Sequence, residues 1–190
     1  MEDTAILWSG WAPTLLKLGA AAVLLFWVVG AYNRLTRLRG AIGSAWAQID
    51  ELLARRATVI DALGEALREP LADEATTLAA LALAEQHQRS AALAVRARPA
   101  HAAALMAWVV AEAELASPLA RLQALLEQRP DLAGSEQVQP WRLQLAEFAP
   151  RLVYARQAFS DAARVYSEAL DEFPTRAVAR LFSMKPTPGL

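Results

Sequence analysis

Hydrophobic positions along this chain fall into two regimes. From Leu15 to Tyr32 the run LLKLGAAAVLLFWVVGAY is apolar on every side, with Lys17 its only charge. From Leu35 the apolar residues become periodic. Leu35, Leu38, Ile42, Ala45, Ile49, Leu52, Val59, Leu63 and Ala66 follow steps of three and four, with one heptad position taken by Arg56 instead. Trp46, Leu53, Ile60 and Leu67 recur every seven residues and widen the same stripe. A uniformly apolar helix has no water-facing side, whereas a broad stripe is the core-facing side of a bundle helix.

Crossing the hydrocarbon core of a bilayer takes about 20 mostly apolar residues. Thr14 to Tyr32 meets that length, with Lys17 near one end, where its ammonium can snorkel outward. Trp8 and Trp11 before the run, and Trp27 and Tyr32 towards its other end, suit an interfacial belt. A removable signal peptide is the rival reading, with Val29-Gly30-Ala31 as a small-residue cleavage site. The acidic start (Glu2, Asp3) and the helical pattern running through the supposed cut favour retention. Arg34, Arg37 and Arg39 follow the run closely, so the positive-inside rule places the N-terminus outside and the C-terminal domain in the cytoplasm, with Lys17 opposing.

Pro70 closes the first periodic run. A second helix is expected from Leu71 to Arg98, with Asp73 and Glu74 in its first turn and Pro99 after it. A third runs from about His101 to Arg129. Ser117-Pro118 lies inside it and marks either a new helix with Ser117 as N-cap or a kink. PDLAGSEQVQ, from Pro130 to Gln139, reads as a loop, and a fourth helix covers about Pro140 to Glu172, bent near Pro150. Short connections between long helices predict antiparallel neighbours. The expected architecture is all-α: a short extracytoplasmic N-terminus over 1–13, a transmembrane helix over 14–32, an up-down four-helix bundle over 33–173, and a tail over 174–190. The last bundle helix returns towards the bilayer.

Composition narrows the function. Ala and Leu dominate, and the net charge is −1 with both signs mixed, unlike the basic footprint of a nucleic-acid binder. The chain has no cysteine, which excludes disulfides, thiolate metal sites, cysteine nucleophiles and lipoprotein acylation. His87 and His101 are the only histidines, and neither has the Glu-x-x-His spacing of a bundle metal site. Neither a cofactor nor a small-molecule substrate is expected.

YNRLTRLRGAIGSAWAQIDELLARRATVI, from Tyr32 to Ile60, resembles the start of the LemA family just after its membrane anchor. Its Tyr-Asn-x-Leu opening, the Trp46-x-x-Ile49-Asp50 segment and the pair Arg55-Arg56 fall in the family's order. ARQAFSDAARVYSEALDEFPTRAVARLF is similar to the family's closing helix and Phe-Pro corner, and RPDLAGSEQV to the loop before that helix. This sequence departs from the family's pattern after Arg55-Arg56, where Thr58, Val59-Ile60, Asp61 and Ala62 replace Asp, Leu-Ile-Pro-Asn. Two closing Tyr-Asn pairs become Phe159-Ser160 and Tyr166-Ser167. The resemblance implies a bacterial, membrane-anchored, all-helical protein without established enzymatic activity. It singles out Tyr32, Asn33, Arg37, Trp46, Arg55, Arg56, Arg156, Tyr166, Phe173 and Pro174 as candidate interaction positions.

Other side chains invite chemical readings. Arg55 and Arg56 suit a carboxylate or anion site, but a structural ion pair is favoured because buried charges are paired, with Glu85 and Glu147 at the right depth. His87 suits phosphotransfer, yet the following Gln88-Arg89-Ser90-Ala91 favours an ordinary solvated histidine; His101 reads as a loop residue. Arg34, Arg37, Arg39, Arg176, Arg180 and Lys185 form one candidate lipid-contacting collar if the last helix returns to the membrane. The competing reading is that Phe173, Leu181 and Phe182 merely cap the bundle end. The function expected is a non-catalytic, membrane-tethered scaffold of the bacterial inner membrane, with an unidentified protein partner. The alternatives are a self-associating, membrane-organising homo-oligomer and, further off, phosphotransfer at His87 or hydrolysis by an acidic pair.

Overall fold

The computed structural model describes the backbone from Asp3 to Leu190 and the side chains from Thr14 onward. The expected belt residues Trp8 and Trp11, and the acidic side chains of Glu2 and Asp3, lie outside the described residues. Among the described residues the chain is all-α. Helices run over α1 (Asp3–Leu67), α2 (Ala75–Ala97), α3 (Ala102–Gln128), α4 (Pro130–Ala133), α5 (Gln139–Asp171) and α6 (Thr175–Leu181). The apolar run and the periodic run are therefore one helix, as their uninterrupted pattern requires.

The burial of α1 changes where the pattern changes. Leu15, Leu16, Leu18, Val23, Leu24, Leu25 and Phe26 are exposed, whereas Leu35, Ile42, Trp46, Ile49, Leu53, Ile60, Leu63 and Leu67 are buried. α1 packs on α5 and α2, α2 packs on α3, and α6 fills the angle between α1 and α5. Trp46 is the centre: its ring meets Trp108 edge-on at 5.2 Å and Phe159 at 6.2 Å, joining α1, α3 and α5. Aromatic pairs in this edge-to-face arrangement add about 0.5–1.5 kcal/mol beyond the area they bury.

Two local expectations are revised, and one open alternative is decided. α2 does not start at Leu71; a 3-10 turn, Ala72–Glu74, intervenes. Its acids brace the turn instead of opening a helix: Asp73 accepts from Arg129 at 2.6 Å, Arg129 also donates to the Pro70 carbonyl, and Glu74 accepts from Thr77. Ser117 caps nothing, because α3 continues through Pro118 as a single element. The stretch after Arg129 is not wholly loop. Pro130 at a first helical position and Gly134 after the last close one turn, α4, an arrangement Pro and Gly favour at those ends.

Besides α1, α3 is long and apolar enough to cross a membrane by composition alone. One side of it is used otherwise, while Met106, Val109 and Val110 on the other are exposed. Leu105, Trp108, Ala111, Leu115, Leu122 and Leu126 are buried against the other helices, while Glu114, Arg121 and Glu127 face outward.

Candidate functional site

A polar layer crosses the middle of the bundle, and all four long helices contribute to it. Arg56 on α1 donates both terminal nitrogens to Glu112 on α3, at 2.6 and 2.7 Å. Arg156 on α5 reaches the same carboxylate at 3.0 Å and lies 4.9 Å over the Trp108 ring. On α2, the buried Glu85 accepts from Arg89 at 3.0 Å, and Arg89 extends to Asp61 of α1 at 2.5 Å. Arg56 is thus the expected structural ion pair, but its partner is Glu112. Glu85 is in the same layer yet bonds Arg89, and Glu147 pairs with Arg151 on its own helix.

The two carboxylates, Glu85 buried and Glu112 half-buried, are tuned in opposite directions. Burial alone would raise Glu112, but the hydrogen bonds from Arg56 and the charges of Arg56 and Arg156 outweigh it and hold the group below the usual range. Glu85 is raised, because desolvation exceeds the help it receives from Arg89 and Arg56.

The second constellation is at the end of the bundle nearest the apolar run. α5 does return there: Phe173 meets Trp27 at 5.3 Å and Phe182 meets Tyr32 at 4.9 Å, and Arg34 pairs with Glu172 at 2.9 Å. A cleft of about 360 Å³ opens beside them, lined by Tyr32, Arg39, Arg98, His101, Tyr166 and Lys185 among others. Of the expected collar, Arg39 and Lys185 share this cleft, joined by Arg98, which the sequence pattern did not single out. Arg34, Arg37, Arg176 and Arg180 are exposed around the same end. Phe173, Leu181 and Phe182 are 76, 73 and 50 % exposed, which does not suit caps buried on the bundle.

The remaining candidates are scattered. Arg55 is exposed and bonds Glu51, one turn earlier. It borders a shallow groove with Pro150 and the exposed Tyr154. His87 is exposed, 3.5 Å from Glu114. His101 has a role the sequence reading missed: as N-cap of α3, its Nδ1 accepts from the Ala104 N–H at 3.3 Å. Among the described residues no group of three or more His, Cys, Asp or Glu is arranged to hold a metal ion.

The profile of the LemA family matches residues 45–190, most of the chain and all of the bundle beyond the first turns. The chain belongs to the LemA family. No curated protein matches the sequence. Within this LemA fold the motif residues divide by depth. Trp46, Arg56 and Arg156 build the polar layer and its aromatic neighbours. Tyr32, Asn33, Arg37, Tyr166, Phe173 and Pro174 cluster on the helices that meet at the other end, with Tyr166 buried and the rest exposed or half-buried. The departures at Ser160 and Ser167 of this LemA chain have a structural use. Ser160 Oγ accepts from the Leu190 N–H at 2.9 Å and donates to its carbonyl, and Ser167 makes the same double contact with Thr187 at 3.3 Å. Two hydroxyls two turns apart therefore hold the extended tail along α5, and Thr187 continues to the Ala100 carbonyl.

Proposed function

We propose that this LemA-family protein is a single-pass membrane-anchored scaffold that holds its helical bundle, and a protein partner, against the cytoplasmic face of the bacterial inner membrane. One observation carries the reading: the apolar, exposed segment and the central bundle helix are the same α1, so that the anchor fixes the bundle without a flexible linker. The three arginines just past the apolar run support a cytoplasmic bundle. A non-catalytic role is supported by the polar layer, whose charged groups are paired with one another: Arg56 and Arg156 bridge Glu112, and Arg89, which borders a cleft, is taken by Glu85 and Asp61. The groove between α1 and α5, with Arg55, Pro150 and Tyr154, is the surface offered to the partner, since an exposed tyrosine flanked by arginines suits a protein contact.

A membrane-organising homo-oligomer is the second reading. Its support is the apolar outer face of α2 and α3, where Leu83, Leu93, Met106 and Val110 are exposed.

Photocrosslinking from Tyr154 and from Met106 in native membranes separates the two. Adducts with a different protein from position 154 are expected; adducts only between copies from position 106 would replace the scaffold reading with the oligomeric one. Protease treatment of right-side-out vesicles checks topology, and digestion of the bundle from outside would overturn the cytoplasmic placement.

A further inference from the structure

The membrane-proximal end of the bundle overlaps the apolar run in depth. A span over Thr14–Tyr32 covers about 28 Å, and Trp27 lies about 7 Å before its end. Phe173 packs on Trp27, so the corner between α5 and α6 reaches that same depth. α6 then turns back, and Phe182 packs at the level of Tyr32. The corner is the lowest point of the bundle and carries Phe173, about three-quarters exposed; Leu181, exposed to the same degree, stands at the far end of α6 beside Phe182.

Sliding the span towards the N-terminus would be the way to keep this corner in water. A span of equal length ending at Phe26 would begin at Trp8 and place Lys17 at its exact middle. The bilayer centre is the most costly position for an ammonium, while a site near one end lets it snorkel. Lys17 therefore fixes the register that submerges the corner. Two acids stand beside the tip: Glu172 is neutralised by Arg34, while Asp171, one residue earlier, is exposed and has no ion pair among the described residues; Arg176 and Arg180 on α6 lie at head-group reach.

We propose that Phe173, Leu181 and Phe182 form an apolar wedge inserted beside α1 into the bilayer's interfacial layer, with Arg176 and Arg180 on the lipid phosphates. The inference rests on the membrane-anchored reading above. The wedge is a second membrane contact, distinct from the span. Amphipathic elements of this kind bury their apolar side about 5–10 Å into the boundary between head groups and acyl chains, which matches the depth of Trp27. Two contacts on opposite sides of one corner prevent the bundle from tilting freely about its anchor.

The absence of cysteine allows single nitroxide labels in the full-length chain, reconstituted in vesicles of phosphatidylcholine and phosphatidylglycerol. Labels at Phe173→Cys, Leu181→Cys and Phe182→Cys are expected to collide several-fold more readily with oxygen than with a water-soluble nickel chelate, most strongly at 173. Val153→Cys, on the exposed flank of α5, should show the reverse. Ala177→Cys, exposed on α6 and outside the Trp27 and Tyr32 contacts, probes the depth between them without disturbing either, and should read as interfacial. If positions 173, 177 and 181 are as open to the chelate as 153 while Leu24→Cys stays oxygen-dominated, the wedge is overturned and the anchor stands. A chelate-accessible Leu24→Cys would instead overturn the anchored reading itself.

Discussion

Arg56 and Glu112 meet through both terminal guanidinium nitrogens and both carboxylate oxygens in the interior of the bundle, on helices separated by a third between them in sequence. The fork can form only if α1 and α3 keep their axial alignment, and Arg156 repeats the constraint from α5. A layer of this kind selects one register among the several that a Leu- and Ala-rich bundle could adopt.

Removing Glu112 leaves Arg56 buried without its counter-charge, whereas removing Arg56 leaves Glu112 with Arg156 alone. Glu112→Gln should destabilise the protein by about 3–5 kcal/mol and Arg56→Met by less, and replacing both by apolar residues should cost less than the sum. Denaturant unfolding of the detergent-solubilised chain, followed by circular dichroism, measures this. Single variants as stable as the parent would show that the pair is dispensable.

The two carboxylates predict opposite pH effects. Glu112 is lowered in the folded state, so its contribution is present above its ordinary value of 4.5 and lost as pH falls through the lower folded value. Glu85 is raised, so its contribution is full below 4.5 and lost as pH rises through the folded value. Glu85→Gln should therefore raise the melting temperature at neutral pH, with the difference fading below pH 4.5. An equal effect at both pH values would rule out titration of Glu85 as the cause.

Ser160 and Ser167 hold the tail along α5 through both the N–H and the carbonyl of Leu190 and Thr187. Ser160→Ala and Ser167→Ala together should free residues 183–190, with a loss of about 0.5–1.5 kcal/mol per hydrogen bond. Limited proteolysis reads the release as faster trimming of the tail without loss of helicity. Unchanged trimming would mean that the apolar contacts of Met184 and Leu190 suffice.

Arg39, Arg98 and Lys185 around one cleft should favour anionic lipid, by up to about 1 kcal/mol for each charge near the surface. Replacing all three with Gln should reduce the phosphatidylglycerol that co-purifies with the protein relative to phosphatidylethanolamine. An unchanged lipid ratio would remove the cleft from the membrane contact.

Much of this architecture is legible in residue spacing, because a heptad stripe states which side of a helix is buried. The stripe on α1 is buried as read, including the position where Arg56 replaces an apolar residue. The partner of Arg56 was missed for a specific reason. Leu105, Trp108, Glu112, Leu115, Leu119, Leu122 and Leu126 follow the same steps of three and four on α3, and Glu112 stands at a core position of that series. Depth counting along antiparallel helices pointed to Glu85 and Glu147, whereas the heptad register of α3 points to Glu112. Side-chain pairing within a helix also intervened, since Glu147 and Glu51 are taken by Arg151 and Arg55 one turn on. The tail was unreadable for another reason: its hold on α5 is made by backbone groups, which leave no periodic trace.

The account depends on α1 carrying its apolar run into the bundle as a single rod. Val29 and Ala47 are eighteen residues apart, five turns, and both are exposed on one side of α1. Nitroxides at Val29→Cys and Ala47→Cys in the reconstituted full-length protein should give a narrow distance distribution centred near 27 Å, from the rise of an unbroken helix. A broad or markedly shorter distribution would show a hinge between anchor and bundle, and would contradict the account.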